Sequence, residues 1–205
     1  MAILLVRHGE TALNAARVLQ PPDTPLNERG KAQALALARR LAATGGIHGV
    51  LSSDQPRAWD TATALAEPLH LPVSGSALLR ERNFGALRGC AYDALGFDPL
   101  TMDEAPPQGE SLSAFVQRAD AAFDELLRQH AALAGDLVVV THGLLIRALL
   151  AGPLRVDAQV LRRLHLGNTA RSIFDAAPPH ALRLLNCTSH LAAHDADDGA
   201  ALCGG

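Results

Sequence analysis

Two short, unbroken apolar runs, residues 2–6 and 137–140, are the clearest pattern along the chain. Runs of this length without polar alternation are typical of strands that a parallel sheet buries on both faces. Weaker runs predict four more strands, the last two as edge strands: residues 50–51, 71–73, 171–175 and 182–186.

Apolar positions spaced three or four residues apart predict helices between these strands. Asn27 is a suitable N-cap for the first helix, and Gly45-Gly46 is a suitable stop. The expected helices are residues 27–44, 56–67, 112–126 and a segment from about residue 144. Residues 84–110, rich in Gly, Pro and acidic residues, predict a long connection with one short helix. Strands that alternate with helices indicate an α/β fold with a mainly parallel sheet.

No linker-like segment interrupts this pattern, so we expect a single domain over residues 1–193. A domain of this length can bury a substantial core without metals or disulfides. From His194 onward the chain is small and acidic and ends in two glycines. Residues 194–205 therefore predict a disordered tail.

Charge and cysteine content exclude several classes of protein. The 18 basic and 21 acidic residues nearly cancel, to a net charge of −3, so no broad basic field is available to bind nucleic acid. Cys90, Cys187 and Cys203 are too few and too scattered for a disulfide framework or a zinc site. The chain starts at once with a strand-like run, and its apolar stretches are shorter than the ~20 residues that cross a bilayer. We expect a cytoplasmic protein with no membrane partner.

The two strongest strands end in similar motifs, Arg7-His8-Gly9 and Thr141-His142-Gly143. In an open parallel sheet, ligands bind beyond the carboxyl ends of the strands, so both histidines are expected at that edge. Each glycine allows a sharp turn into a helix whose free N–H groups favour an anion. A lone histidine is more often structural, and the repetition is what favours a functional role. Arg7 would bind phosphate oxygens, the alternative being a surface ion pair.

The first motif, residues 4–11 with Asn14 following, closely resembles the opening motif of the histidine phosphatase superfamily, in its phosphoglycerate-mutase-like branch. Six further segments match in the same order: residues 23–30, 52–62, 79–89, 109–111, 140–143 and 185–191. The resemblance covers about residues 3–191 and implies a three-layer α/β/α sandwich with a mainly parallel central sheet.

The resemblance also implies a role for each matched residue. His8 would attack phosphorus and form a phosphohistidine. Arg7, Arg57 and His142 would surround the phosphoryl group and offset the charge on its equatorial oxygens. Glu81 would protonate the leaving oxygen and then deprotonate the attacking water, which requires a raised pKa.

Four further positions are expected to bind substrate. Asn14 and the backbone N–H of Gly143 would donate to the same phosphoryl oxygens, by the same resemblance. The loop after Gln20 would line the pocket, although Pro21-Pro22 stands where relatives commonly have a glycine, which leaves its contacts open. Of the two arginines that flank Glu81, Arg82 is the one expected at the pocket rim, where it would select anionic substrates. The alternative is that both are solvated.

The leading interpretation is therefore a phosphatase for a small phosphorylated metabolite, independent of metal ions and cofactors. The alternative is a phosphoglycerate mutase with the same catalytic residues, but only 60 residues separate Glu81 from His142, as in the shorter phosphatases. A catalytically silent binding module would be expected to lose a core residue. A metal hydrolase is disfavoured because two arginines would repel a cation. The substrate stays open, as does the oligomeric state, with a homodimer among the candidates.

Overall fold

A computed structural model describes residues 1–191, so the tail predicted at residues 194–205 lies outside the described part of the chain. One six-stranded sheet is formed by β1 (Ala2–Arg7), β2 (Ile47–Ser53), β3 (Val73–Ser76), β4 (Asp136–Thr141), β5 (Arg171–Asp175) and β6 (Leu182–Cys187). Their order across the sheet is β3-β2-β4-β1-β5-β6. The first four strands of that order pair in parallel, whereas β5 and β6 are antiparallel. The prediction of a mainly parallel sheet is confirmed.

Two strand predictions need correction. β5 was expected at an edge, but it pairs with β1 on one side and β6 on the other, so β6 is the edge strand. Its opening residues, Arg171 and Ser172, are polar and suggest an edge, yet both are buried. The third strand begins at Val73, where the prediction ended, because Leu71-Pro72 only leads into it.

Six helices connect the strands: α1 (Ala12–Ala15), α2 (Glu28–Thr44), α3 (Pro56–Ala66), α4 (Leu112–Ala131), α5 (Gly143–Ala151) and α6 (Ala158–Arg163). As predicted, Asn27 caps α2 by accepting a hydrogen bond from the Gly30 N–H, and Gly45 ends it at φ +70°. α1 and α6 are too short to give a periodic signal. Residues 84–110 contain two single 3₁₀ turns, Gly85–Leu87 and Tyr92–Ala94, instead of one short helix.

The apolar strands divide the core into two layers. Leu4 and Val6 on β1 belong to the cluster that includes residues of α2 and α3. Ile3 and Leu5 belong to the cluster that includes residues of α4 and α5. Successive strand residues point to opposite faces, so a strand covered by helices on both sides must be apolar throughout. The result is the three-layer α/β/α sandwich that the resemblance implied. Within residues 1–191, every helix is too short or too polar to cross a membrane.

Candidate active site

His8 and His142 meet at the carboxyl edge of the sheet. β1 and β4 are neighbours in register, Arg7 opposite Thr141, and the His8 N–H donates to the Thr141 carbonyl at 2.9 Å. Their rings lie 5.2 Å apart between centroids, tilted by 58°, and both residues are fully buried. The convergence that the repeated motif predicts is therefore present in the structure.

The surroundings of His8 determine its tautomer. Its Nδ1 lies 2.7 Å from the Gly9 carbonyl oxygen, which can only accept a hydrogen bond. Nδ1 therefore carries the proton of the neutral ring, and Nε2 keeps its lone pair. A lone pair on a fixed, buried Nε2 is what a nucleophilic histidine requires.

The segment before β5 fixes the His8 backbone. The Asn168 side-chain amide donates to the His8 carbonyl at 3.0 Å, and the Thr169 N–H donates to the Arg7 carbonyl at 3.1 Å. Thr169 is in turn hydrogen-bonded through its hydroxyl to His190 Nε2 at 2.9 Å. Sequence reasoning missed Asn168 and Thr169, since the only local signal is a polar pair ahead of a strand.

Gly9 is required by a close backbone contact. A Cβ at this position would lie 2.5 Å from the Gly30 carbonyl oxygen at the start of α2. The next residue, Glu10, accepts hydrogen bonds from Asn27 and Arg29, so this turn is anchored to the start of α2. Any side chain at Gly9 would displace His8 from that anchor.

Arg57 lies in the first turn of α3 and is almost fully buried. One terminal nitrogen donates to the Pro21 and Pro22 carbonyls at 3.3 and 3.4 Å, and the other donates to the Gln55 side chain at 2.9 Å. The prolines remove N–H donors but leave carbonyls, and these orient the guanidinium. Burial lowers the pKa of Arg57 to about 10, with the Glu81 charge opposing, so the group stays charged at neutral pH.

Two amide side chains after His8, Asn14 in α1 and Gln20 in the following loop, keep polar atoms available for a ligand. Both side-chain polar atoms of Asn14 and the Gln20 Nε2 are buried without a hydrogen-bond partner in residues 1–191. The Gln20 oxygen accepts from the Thr11 hydroxyl at 2.6 Å, which turns its NH₂ away from Thr11. Buried donors without a protein partner are costly unless a ligand satisfies them. Arg7 is fully buried and donates to the Leu166 carbonyl.

Glu81 is a buried carboxyl group on the wall of a cleft of about 1010 Å³. Its oxygens accept from the Leu144 N–H at 3.1 Å and the Arg82 N–H at 3.0 Å. Burial raises the pKa of Glu81, although these two N–H groups and the charges of Arg57 and Arg7 oppose the rise. The pKa of Glu81 is therefore raised, as expected, and burial is the only cause that raises it.

His142 is neutral at physiological pH. Burial, followed by the charges of Arg57, His8 and Arg7, holds its pKa well below the usual value of 6.5. Its Nε2 lies 2.9 Å from the Ser53 hydroxyl, and its Nδ1 is buried without a partner in the described chain. Gly143 follows as the first residue of α5, where helix geometry leaves the backbone N–H without an intrahelical acceptor.

The expected position of Arg82 at the pocket rim is wrong. Its side chain is buried and donates to the Met102, Leu100 and Glu110 carbonyls at 2.6, 3.4 and 3.3 Å. Arg82 therefore holds the long connection, residues 84–110, in place. Arg80 lines the cleft instead, paired with Asp54. The alternation of side chains in Arg80-Glu81-Arg82 could not show which of the two arginines would be covered by residues 84–110.

The groups around His8 suit an anion. Arg7 and Arg57 are cationic, and the buried side chains of Asn14 and Gln20, in the segment that follows His8, offer uncharged donors. Within the described residues, no group of three or more His, Cys, Asp or Glu side chains is placed to hold a metal ion. A buried histidine beside two guanidinium groups and an acid whose pKa burial raises is an arrangement suited to phosphoryl transfer.

Comparison with known proteins agrees with this geometry. The model of the histidine phosphatase superfamily (branch 1) matches residues 3–188. A probable phosphoglycerate mutase GpmB from Yersinia pestis (strain Pestoides F) is 35% identical over 185 residues, 85% of each chain. A mycobacterial glucosyl-3-phosphoglycerate phosphatase in complex with VO3 has 29% identity and a TM-score of 0.74, over 89% of this chain and 96% of that one. Phosphoserine phosphatase from Entamoeba histolytica, in complex with 3-phosphoglyceric acid, has 26% identity and a TM-score of 0.77, over 93% and 99%. From its fold, the two paired histidines and these matches, the chain belongs to the histidine phosphatase superfamily.

Proposed function

We propose that this protein is a phosphomonoesterase of the cytoplasm that hydrolyses a small phosphorylated metabolite through a phosphohistidine at His8, without a metal ion. The observation that carries the proposal is the fixed tautomer of His8, whose Nδ1 donates to the Gly9 carbonyl at 2.7 Å, so that the lone pair of the neutral ring is on Nε2. We expect a single domain, residues 1–193, to carry out this reaction.

In the first step, His8 Nε2 forms a bond to phosphorus as the bond from phosphorus to the alcohol oxygen breaks. Glu81 transfers its proton to that oxygen, so the alcohol leaves neutral. Burial raises the pKa of Glu81 and supplies the protonated form. In the second step, water attacks phosphorus, Glu81 takes one of its protons, and the bond from phosphorus to Nε2 breaks. Inorganic phosphate leaves, and His8 and Glu81 return to their starting states.

The remaining site residues stabilise charge during both steps. Arg7 and Arg57 would neutralise the equatorial oxygens, and their burial would strengthen that attraction because water screens it less. Asn14, the Gln20 NH₂ and the Gly143 N–H add donors that need no reorganisation. Such positioning and electrostatics account for most of the catalysis in phosphoryl transfer.

Hydrolysis is favoured over mutase activity because only 60 residues separate Glu81 from His142, the shorter pattern expected of phosphatases, and because two of the similar solved structures are phosphatases. The name of the Yersinia relative, a probable phosphoglycerate mutase, supports the second candidate function. In a mutase the phosphohistidine would return its phosphoryl group to another hydroxyl of the substrate instead of to water.

Two measurements test the proposal. Rapid quenching without acid, followed by intact mass analysis, should show one added phosphoryl group that is absent in His8→Ala and present in His165→Ala. The control is exposed and lies outside the cleft. Full activity in His8→Ala would refute the mechanism. Release of inorganic phosphate separates hydrolysis from isomerisation of a phosphoglycerate.

A further inference from the structure

The cleft beyond Glu81 contains three arginines, two of which are already neutralised. Arg80 forms an ion pair with Asp54. Arg118 forms an ion pair of 2.8 Å with Glu110 and also donates to the carbonyls of Leu78 and Arg80. These two arginines are held by the protein itself, so they have little capacity left for a ligand.

Arg88 differs from them in its partner. It is half-buried, lines the same cleft, and donates to the Asn83 side-chain oxygen at 2.6 Å. Asn83 is a neutral amide, and no carboxylate of residues 1–191 forms an ion pair with Arg88. A guanidinium has five N–H donors, so this single contact leaves most of them for a ligand.

The orientation of Arg88 is fixed before any ligand binds. The oxygen that it contacts also accepts from the Gly85 N–H at 2.8 Å, and the Asn83 NH₂ donates to the Gln108 carbonyl at 3.1 Å. Asn83 is thus part of a bonded network two residues from Glu81. A charged group held this way loses less side-chain entropy on binding than a free surface arginine.

Arg88 lines the same cleft as Glu81, the proposed proton donor to the leaving alcohol. Its charge is one of the influences that lower the pKa of Arg57. Apart from the ion pairs Arg80–Asp54 and Arg118–Glu110, the charged groups that line the cleft with Arg88 are Asp23, next to the Pro21-Pro22 pair, and Glu81, whose pKa burial raises. Arg88 is therefore the arginine of this cleft that has no carboxylate partner in residues 1–191, and it shares the cleft with the proposed proton donor.

We propose that Arg88 binds a second anionic group, a carboxylate or a phosphate, on the alcohol part of the substrate. The enzyme then selects phosphorylated metabolites that carry two anionic groups. This inference rests on the proposed function and specifies its substrate class. Arg88 supplies a planar, two-pronged donor suited to either oxyanion.

Two matched substrate pairs test the inference. 3-Phosphoglycerate and glycerol 3-phosphate differ by a carboxylate, and fructose 1,6-bisphosphate and fructose 6-phosphate differ by a phosphate. In at least one pair, kcat/KM should be higher for the doubly anionic member by ~10–100-fold, the size of a charge-assisted hydrogen bond. Arg88→Gln should bring that ratio close to one, and Arg88→Lys should keep part of it. Arg39→Gln, the same change on the exposed face of α2, should keep all of it.

Each outcome has a defined meaning. The pair that responds identifies the second group as carboxylate or phosphate. An unchanged ratio in Arg88→Gln, or no preference in the native enzyme, overturns the inference. If the inference fails in this way but p-nitrophenyl phosphate still phosphorylates His8, the proposed phosphatase function stands without the second anion site. If neither phosphohistidine nor hydrolysis is found, the proposed function fails, and calorimetric binding of the same pairs to the native protein and Arg88→Gln decides the inference separately.

Discussion

The rings of His142 and His8 lie 5.2 Å apart between centroids, and the guanidinium groups of Arg57 and Arg7 are among the charges that lower the pKa of His142. Besides burial, four basic groups lower the pKa of His142: Arg57, His8, Arg7 and Arg118. An anion between these groups would reverse that influence, because negative charge favours the protonated form of histidine.

We expect His142 to take up a proton when an oxyanion binds. Tungstate is a suitable probe, since it stays a dianion near neutral pH and its own protonation does not enter the balance. Calorimetry in buffers of different ionisation enthalpy should show proton uptake near pH 7 in the native protein and much less in His142→Gln. Equal uptake in both proteins would assign the proton to another group, with His8 and Glu81 as the candidates.

Glu81→Gln should slow phosphorylation of His8 most when the leaving group is poor. An alkoxide needs a proton in the transition state, so the burst rate with an alkyl phosphate should fall ~10²–10⁴-fold. A nitrophenolate leaves without that help, and its burst rate should fall much less. Stopped-flow or quench-flow measurement of both bursts gives the comparison. A fall by the same factor would show that Glu81 is not the proton donor.

The role proposed for Glu81 also predicts how the burst rate depends on pH. The acid works in its protonated form, and burial raises its pKa above the ordinary 4.5. The alkyl phosphate burst rate should thus persist above pH 4.5 and decline as pH rises through the raised pKa. In Glu81→Gln this decline should be absent.

Chelation should leave activity unchanged, whereas vanadate should inhibit competitively. The site combines arginines, histidines and amides with one acid, and it lacks the set of hard oxygen ligands that Mg²⁺ or Ca²⁺ requires. Steady-state rates before and after EDTA, with and without added Mg²⁺ or Zn²⁺, provide the check. Activity that disappears with EDTA and returns with either ion would contradict metal independence.

His190 should contribute to acid destabilisation. Burial, with the charges of Arg171 and Arg40, lowers its pKa to about 4, whereas in the unfolded chain the value is near 6.5. The unfolded state then binds the proton more readily than the folded state. The contribution of neutral His190 to the free energy of unfolding is therefore fully present above pH 6.5 and is lost as pH drops toward 4. Urea unfolding at several pH values should show a smaller fall for His190→Gln. Identical pH slopes for the two proteins would exclude this contribution.

The sequence could predict the two histidines because parallel strands carry their carboxyl ends to one edge of a sheet. Asn168 and Thr169 could not be predicted in the same way. They reach the His8 backbone because β5 pairs antiparallel with β1, and that pairing depends on long-range register. Arg82 was misplaced for a related reason, since its burial is decided by carbonyls of residues 100, 102 and 110, far along the chain.

The central position of β1 has a consequence for how the chain becomes active. Both of its neighbours, β4 and β5, are synthesised more than a hundred residues later, so during translation the strand that carries the nucleophile has neither partner. Contacts of such long sequence separation form slowly, and an unpaired apolar strand exposes edges that can aggregate. Turnover should therefore require that β1 and β5, which lie far apart in sequence, have paired, and we expect truncation before residue 171 to abolish activity although every residue from His8 to His142 is present.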